Sequence, residues 1–234
     1  VQFNFSLEAL IASETSTIES NMLPFIAGIF GIYWFAKKNR ILFMMNCIIL
    51  LLAFKRIVVL AFIIGVSTYV FPKMRAFLKP GILVGLNLIY VGLTFWIITE
   101  HFDYLVREYT GVSAGFLTKG RTSLLTPALE MIKHSPEVLL LGIGQGNAVV
   151  FISEYFGFRT LLHNDVLKVL IEHGVFVFLL FFKTLYKMKG NVLGLLVYFN
   201  ILLLTDNVLI YSPVLLALIM ILNFENSNDE IKLL

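Results

Sequence analysis

Long apolar runs separated by short polar breaks dominate the chain. They occupy residues 22–36, 41–54, 57–72, 81–99, 166–182, 190–204 and 207–223. Each is near or somewhat below the ~17–25 residues that carry a helix across a bilayer. None alternates apolar and polar positions as barrel strands do, so the pattern predicts seven membrane helices. Residues 1–20 read as an amphipathic helix around "LEALIA", lying on the outer interface. The interval 100–163 interrupts the series. It is too long for a plain connector and too apolar to be disordered. Inside it a helix is expected over 122–134, with Thr122 or Ser123 as N-cap, Pro127 in its first turns and a stop before "SPE". A flexible "GIGQGN" stretch and a second apolar hairpin follow, and "FRTLLHNDVLKVLIEHGVF" (158–176) returns to the membrane. Three parts result: an N-terminal segment with four helices (1–99), a large loop (100–163), and C-terminal helices with a short tail (164–234).

Charge orients this series. Lys37, Lys38 and Arg40, then Lys73, Arg75 and Lys79, then Lys183, Lys187 and Lys189 form three basic turns, which the positive-inside rule makes cytoplasmic. Residues 1–20, the 100–163 loop and the Thr205-Asp206 turn then lie outside, and "ENSNDEIKLL" lies inside. The opening "VQFNF" has no initiating Met and no export signal, so earlier helices are expected before it. One break departs from the rule. Lys55 and Arg56 separate two runs that reach only about 21–24 Å at 1.5 Å per residue, short of the ~30 Å hydrocarbon core. A cation recessed below the surface marks a candidate site; a single tilted helix, or snorkelling to the interface, is the alternative.

Composition settles the class. Hydrophobic residues make up 59% of the 234 and charged residues 14%, with a mean hydropathy of +0.88, against roughly 45–50% apolar in soluble domains. The fold class expected is all-α, a polytopic integral membrane protein with a long, partly helical periplasmic loop. The lone Cys47 excludes an internal disulfide. A net charge of +3 spread over topology-setting turns argues against nucleic acid as a partner.

Ionisable groups that do not set topology collect in the outer loop and at its return. Asp165, Lys168 and Glu172 share one helix face, expected to line a wet cavity. Arg56, Arg121 and Arg159 offer forks suited to phosphate, and His163 brings the side-chain type poised for proton transfer near neutral pH. Gly142, Gly144 and Gly146 either let main-chain amides approach an anion or a sugar, or form a tight turn. The spacing fits neither a zinc nor a hard-cation site, and "TSLLT" lacks a nucleophile elbow. No cofactor is expected.

Gly120-Arg121 opening a helix, then Pro136, Gly142 with Gly144, His163-Asn164 at a returning helix, and Glu172 with Gly174, in that order over roughly residues 50–182, resemble the O-antigen ligase and Wzy-type O-antigen polymerase superfamily. The resemblance implies an inverting, metal-independent membrane glycosyltransferase of the bacterial inner membrane. Its donor would be an oligosaccharide on undecaprenyl pyrophosphate. It implies His163 as catalytic base and Arg121 on the pyrophosphate, with Arg56 matching an upstream arginine between two helices. Phe54-Lys55 stands where a serine often precedes that arginine, and Leu124 or Leu125 where an aromatic is common. Asn164 or Asp165 would orient the imidazole, and Arg159, Gly144 and Glu172 complete the substrate-binding set. The first reading is a polymerase of lipid-linked repeat units, with a chain-length regulator as a further candidate partner. The alternatives are a ligase transferring the chain to lipid A-core and a lipid-linked glycan flippase.

Overall fold

The computed structural model describes residues 22–53, 55–71, 73–74, 78–117, 120–187 and 192–231, with backbone alone over 226–231. Every regular element among them is helical. The apolar runs become α1 (Leu23–Ala36), α2 (Arg40–Ala53), α3 (Arg56–Val70) and α4 (Pro80–Ile97). The loop holds α5 (Glu100–Thr110), α6 (Ala114–Leu117), α7 (Arg121–His134), α8 (Val138–Leu141) and α9 (Asn147–Phe156). Then come α10 (Asp165–Tyr186), α11 (Leu193–Thr205), a 3-10 turn (Val208–Ile210) and α12 (Ser212–Ile231). The amphipathic helix expected over 1–20 lies outside the described residues. Among the described residues, by length and apolarity together, α4 alone is long enough to cross a bilayer, and α1, α2, α3, α11 and Ser212–Glu225 are shorter apolar helices.

The two helices expected over 41–54 and 57–72 are seen, not the alternative of one tilted helix, with Lys55 in extended conformation (ψ 98°) as the N-cap of α3. Two expectations change in detail. The helix in the loop starts at Arg121 with Gly120 as N-cap, not Thr122 or Ser123. Gly120 sits at φ 77°, a left-handed turn that brings the chain into the helix one residue earlier. The last apolar run begins its helix only at Ser212, because Asp206 and Asn207 tie down the preceding turn.

Packing sorts the breaks to two ends. Lys37, Tyr69, Val192 and Glu225 surround one small cavity, with Lys37 Nζ 2.7 Å from Glu225. Lys55, Arg121, His163 and Thr205 meet at another. Between them Asn87 of α4 donates to the Tyr186 hydroxyl of α10 (2.9 Å) and to Asn200 of α11 (3.1 Å), which donates back (3.0 Å). Buried polar groups that satisfy one another in this way fix helix register more than they add stability.

α10 is broken at Gly174 (φ 75°, ψ 172°). The break frees the carbonyls of Ile171 and Glu172, and the amides of Ile143 and Gly144 take them up at 2.9 Å each. A Cβ on Gly142 would lie 2.6 Å from His173 N, and one on Gly174 would lie 2.9 Å from Leu141 N. Backbone thus lies directly on backbone, and the glycine run hooks the outer loop to the returning helix.

Candidate functional site

The site grows from a polar tripeptide between two apolar helices. Thr205-Asp206-Asn207 ends α11, and its groups reach three distant segments. The last carbonyls of a helix lack internal partners and carry the negative end of its dipole. Arg121 answers there, donating from Nη1 to the Thr205 carbonyl at 2.9 Å. Lys55 Nζ lies 2.8 Å from Asp206 Oδ2 and 4.2 Å from the centre of the Phe25 ring. The His163 amide donates to Asn207 Oδ1 at 3.2 Å, and the Leu209 amide to Asp165 Oδ2 at 2.7 Å.

His163 stands at φ 52°, a left-handed conformation that bulky residues rarely adopt. It immediately precedes Asn164, whose Oδ1 caps α10 by accepting from the Leu167 amide at 2.9 Å. The imidazole Nδ1 faces Asp206 Oδ1 at 3.6 Å, an ion-pair distance rather than a direct hydrogen bond. With Nδ1 turned to the carboxylate, Nε2 is the nitrogen left to take a proton. Burial alone would raise the Asp206 carboxyl, but the His163 contact and the Lys55 ammonium outweigh it and hold the group well below the usual carboxylate range. Asp165 goes the other way. Burial pushes it up to about 6, against the lowering by the Leu209 amide and by Lys168.

Above the tripeptide lies a cavity of about 370 Å³. Its polar wall is Lys55, Arg56, Arg121, Thr122, His163, Asn164 and Thr205; its apolar wall is Ile57, Ile97, Leu125, Leu162 and Leu204, with Tyr90 and Thr94 from α4. Tyr90 donates its hydroxyl to the Leu204 carbonyl. Arg56 has no ion-pair partner among the described residues, and Asn164 Nδ2, buried, has no hydrogen-bond partner among them. Cations at the N-terminus of a helix oppose its dipole. Lys55 is compensated there by Asp206, and Arg56 is not.

The cavity gathers Arg56, Arg121, His163 and Asn164 of the expected residues. Arg159 is exposed and does not line it. Asp165 and Glu172 are buried and do not line it either, so the wet face expected for α10 is closed: Asp165 is engaged by Leu209, and Glu172 lies under the glycine hook. Gly144 spends its amide on the Glu172 carbonyl, so the run makes a turn rather than an anion cradle. The side chain facing the imidazole Nδ1 is the Asp206 carboxylate, rather than the Asn164 amide or the Asp165 carboxyl. Lys55 was marked with Arg56 as a recessed cation, and Asp206 is the side chain of this cluster that spacing missed. A lone Asp between two apolar runs was the available signal. No group of three or more His, Cys, Asp or Glu side chains is placed to hold a metal among the described residues.

A family model described as O-antigen ligase matches residues 41–182, more than half of the chain. The chain belongs to the O-antigen ligase family. Membership assigns it, in general terms, to ligase-like or polymerase-like work on lipid-linked glycans by bacterial membrane proteins of surface-polysaccharide biosynthesis. The match contains Lys55, Arg56, Arg121, His163 and Asn164 but ends before Asp206, whose place in the site comes from geometry alone. No curated protein and no solved structure matches the chain.

Proposed function

We propose that this O-antigen ligase family member is a multi-pass glycosyltransferase of the bacterial cytoplasmic membrane. It polymerises undecaprenyl-pyrophosphate-linked repeat units on the periplasmic side. The observation that carries the reading is the convergence of Lys55, Arg56, Arg121 and His163, from three separate segments, on one cavity. Against the three cations Lys55, Arg56 and Arg121 stands one adjacent carboxylate among the described residues, Asp206, so the cavity holds surplus positive charge suited to a diphosphate.

His163 Nε2 takes the proton from an acceptor hydroxyl as that oxygen attacks the anomeric carbon. The bond from that carbon to the pyrophosphate oxygen breaks, and the lipid pyrophosphate leaves with the bonding pair. Arg56, at the N-terminus of α3 where free amides also favour anions, and Arg121 stabilise the charge on the leaving group. Asn164 Nδ2 is a donor for a sugar or phosphate oxygen. Asp206 holds the imidazole in the tautomer that leaves Nε2 open. The apolar wall and Tyr90 give the sugar and the first isoprene units a dry surface.

Support for the bilayer setting comes from outward faces. Ile41, Met44, Ile48 and Leu51 form one exposed stripe on α2, and Leu86, Ile89 and Leu93 one on α4. Contiguous exposed apolar stripes of this kind need lipid or further helices to cover them. The test is transfer in liposomes, with the full-length protein, the lipid-linked repeat unit, and lipid A-core present or absent. A glycan ladder from the lipid-linked unit alone is expected. Product only with lipid A-core would make the chain a ligase, and no transfer in either mixture would refute the enzyme reading.

A further inference from the structure

Lys55 lies in one of the places where this chain departs from the family it resembles, and the geometry ties it to the candidate base through Asp206. Its side chain is 12% exposed and its ammonium lies 2.8 Å from Asp206 Oδ2, while Oδ1 of the same carboxylate faces His163 Nδ1 at 3.6 Å. Three side chains from three elements form one line, cation to anion to imidazole. We propose that Lys55 is a positioning residue whose charge, acting through Asp206, keeps His163 as the neutral imidazole that accepts a proton. The role rests on the reading of His163 as general base.

An ionised carboxylate beside an imidazole favours the imidazolium, which has no lone pair left for a substrate proton. Lys55 neutralises that carboxylate as a pair and leaves Asp206 its geometric task. The other groups around His163 act in the same direction or lie turned away. Arg56 from the start of α3 and Arg121 from α7 share its cavity and oppose protonation. Asp165, on its own segment, gives its Oδ2 to the Leu209 amide and has Lys168 nearby. Tyr211, beyond the turn, feels both Asp206 and Asp165. Phe25 under the ammonium fixes where Nζ sits and competes with water for it. A tether alone would need only a hydrogen-bond donor at this position. The line from Lys55 to His163 needs a charge.

Lys55→Gln keeps a donor and removes the charge, and Lys55→Arg keeps both. The full-length protein in lipid nanodiscs, labelled at histidine, is titrated by NMR, with the His163 signal identified by its loss in His163→Asn. The midpoint of His163 is expected to rise by about one unit in Lys55→Gln, a tenfold gain in proton affinity, and to stay at the wild-type value in Lys55→Arg. In Asp206→Asn, where the cation stands unopposed, the midpoint falls. An unmoved midpoint in Lys55→Gln, or an equal rise in Lys55→Arg, overturns the proposal. If Lys55→Gln does not fold, the Asp206→Asn titration decides it, and an unmoved midpoint there overturns it. The titration does not depend on transfer. Its failure with transfer intact would therefore strike only the role of Lys55, and a shifted midpoint without transfer would strike only the enzyme reading.

Discussion

On the proposed reading, Arg121 divides its guanidinium between two tasks. Nη1 is spent on the Thr205 carbonyl, which leaves the rest of the fork for a ligand in the cavity. A lysine has one compact ammonium and cannot serve both partners, so Arg121→Lys should lower kcat/KM at least tenfold although the charge is kept. Transfer at the wild-type rate by that variant would reduce Arg121 to a general positive charge. His163→Ala removes the proposed proton acceptor and should cost about 10²–10⁴-fold in kcat with little change in thermal stability, since the ring is partly exposed. Asp165 gives a prediction of a different kind. Its carboxyl titrates at the ordinary 3.8 when the chain is unfolded and at about 6 in the fold. Between those values the folded protein holds a proton that the unfolded chain has lost, so stability falls as pH rises through that window. The cost, about 1–3 kcal/mol, is absent below the lower value and complete above the upper one. Asp165→Asn still accepts from the Leu209 amide but carries no charge. Its advantage over the wild type in a thermal melt should therefore grow from pH 4 to pH 7; parallel melting curves across that range would show that burial costs the carboxylate nothing.

At the scale of elements, the hook between the glycine run and broken α10 makes a sharp demand. Gly142 and Gly174 both take positive φ, and each leaves no room for a Cβ against the opposite backbone. Gly142→Ala and Gly174→Ala should each destabilise by about 2–4 kcal/mol, from backbone strain plus displacement of the two amide bonds. The double variant should cost less than the sum, because once one side has moved the other no longer collides. Chemical denaturation of the four proteins measures this directly. Helices were legible in the sequence because an apolar run needs no knowledge of its neighbours, and α1 to α4 fall within a few residues of their runs. The glycines were legible as a turn, but their amides are spent on carbonyls that exist only because α10 breaks at Gly174, far along the chain. The same limit hid the hub of the site. Arg121 lies 84 residues from the Thr205 carbonyl it binds, and His163 lies 44 from Asn207. Asp206 read as a turn residue because its partners could not be seen until the turn, the loop and the α2–α3 break were folded to one end.

For the whole molecule, the two ends of the bundle differ in kind. One end carries Lys37, Lys38 and Arg40 with the Lys37–Glu225 pair, and Lys187 follows α10. The other carries the cavity, the loop helices and the 205–207 turn. If the outward stripes of α2 and α4 lie in lipid, the first end faces the cytoplasm by the positive-inside rule and the cavity opens to the periplasm. That orientation can be tested without any assay of chemistry. With Cys47 replaced by Ser, a single cysteine at Ser113, in the loop, should react with an impermeant maleimide added to intact spheroplasts. One at Lys187 should react only after the inner face is exposed. Labelling in the reverse pattern would put the cavity on the side where nucleotide sugars are made, and a lipid-pyrophosphate leaving group would no longer be required. Labelling of both positions from both sides would mean that the bundle does not hold a fixed orientation. The outward apolar stripes would then need a covering other than lipid.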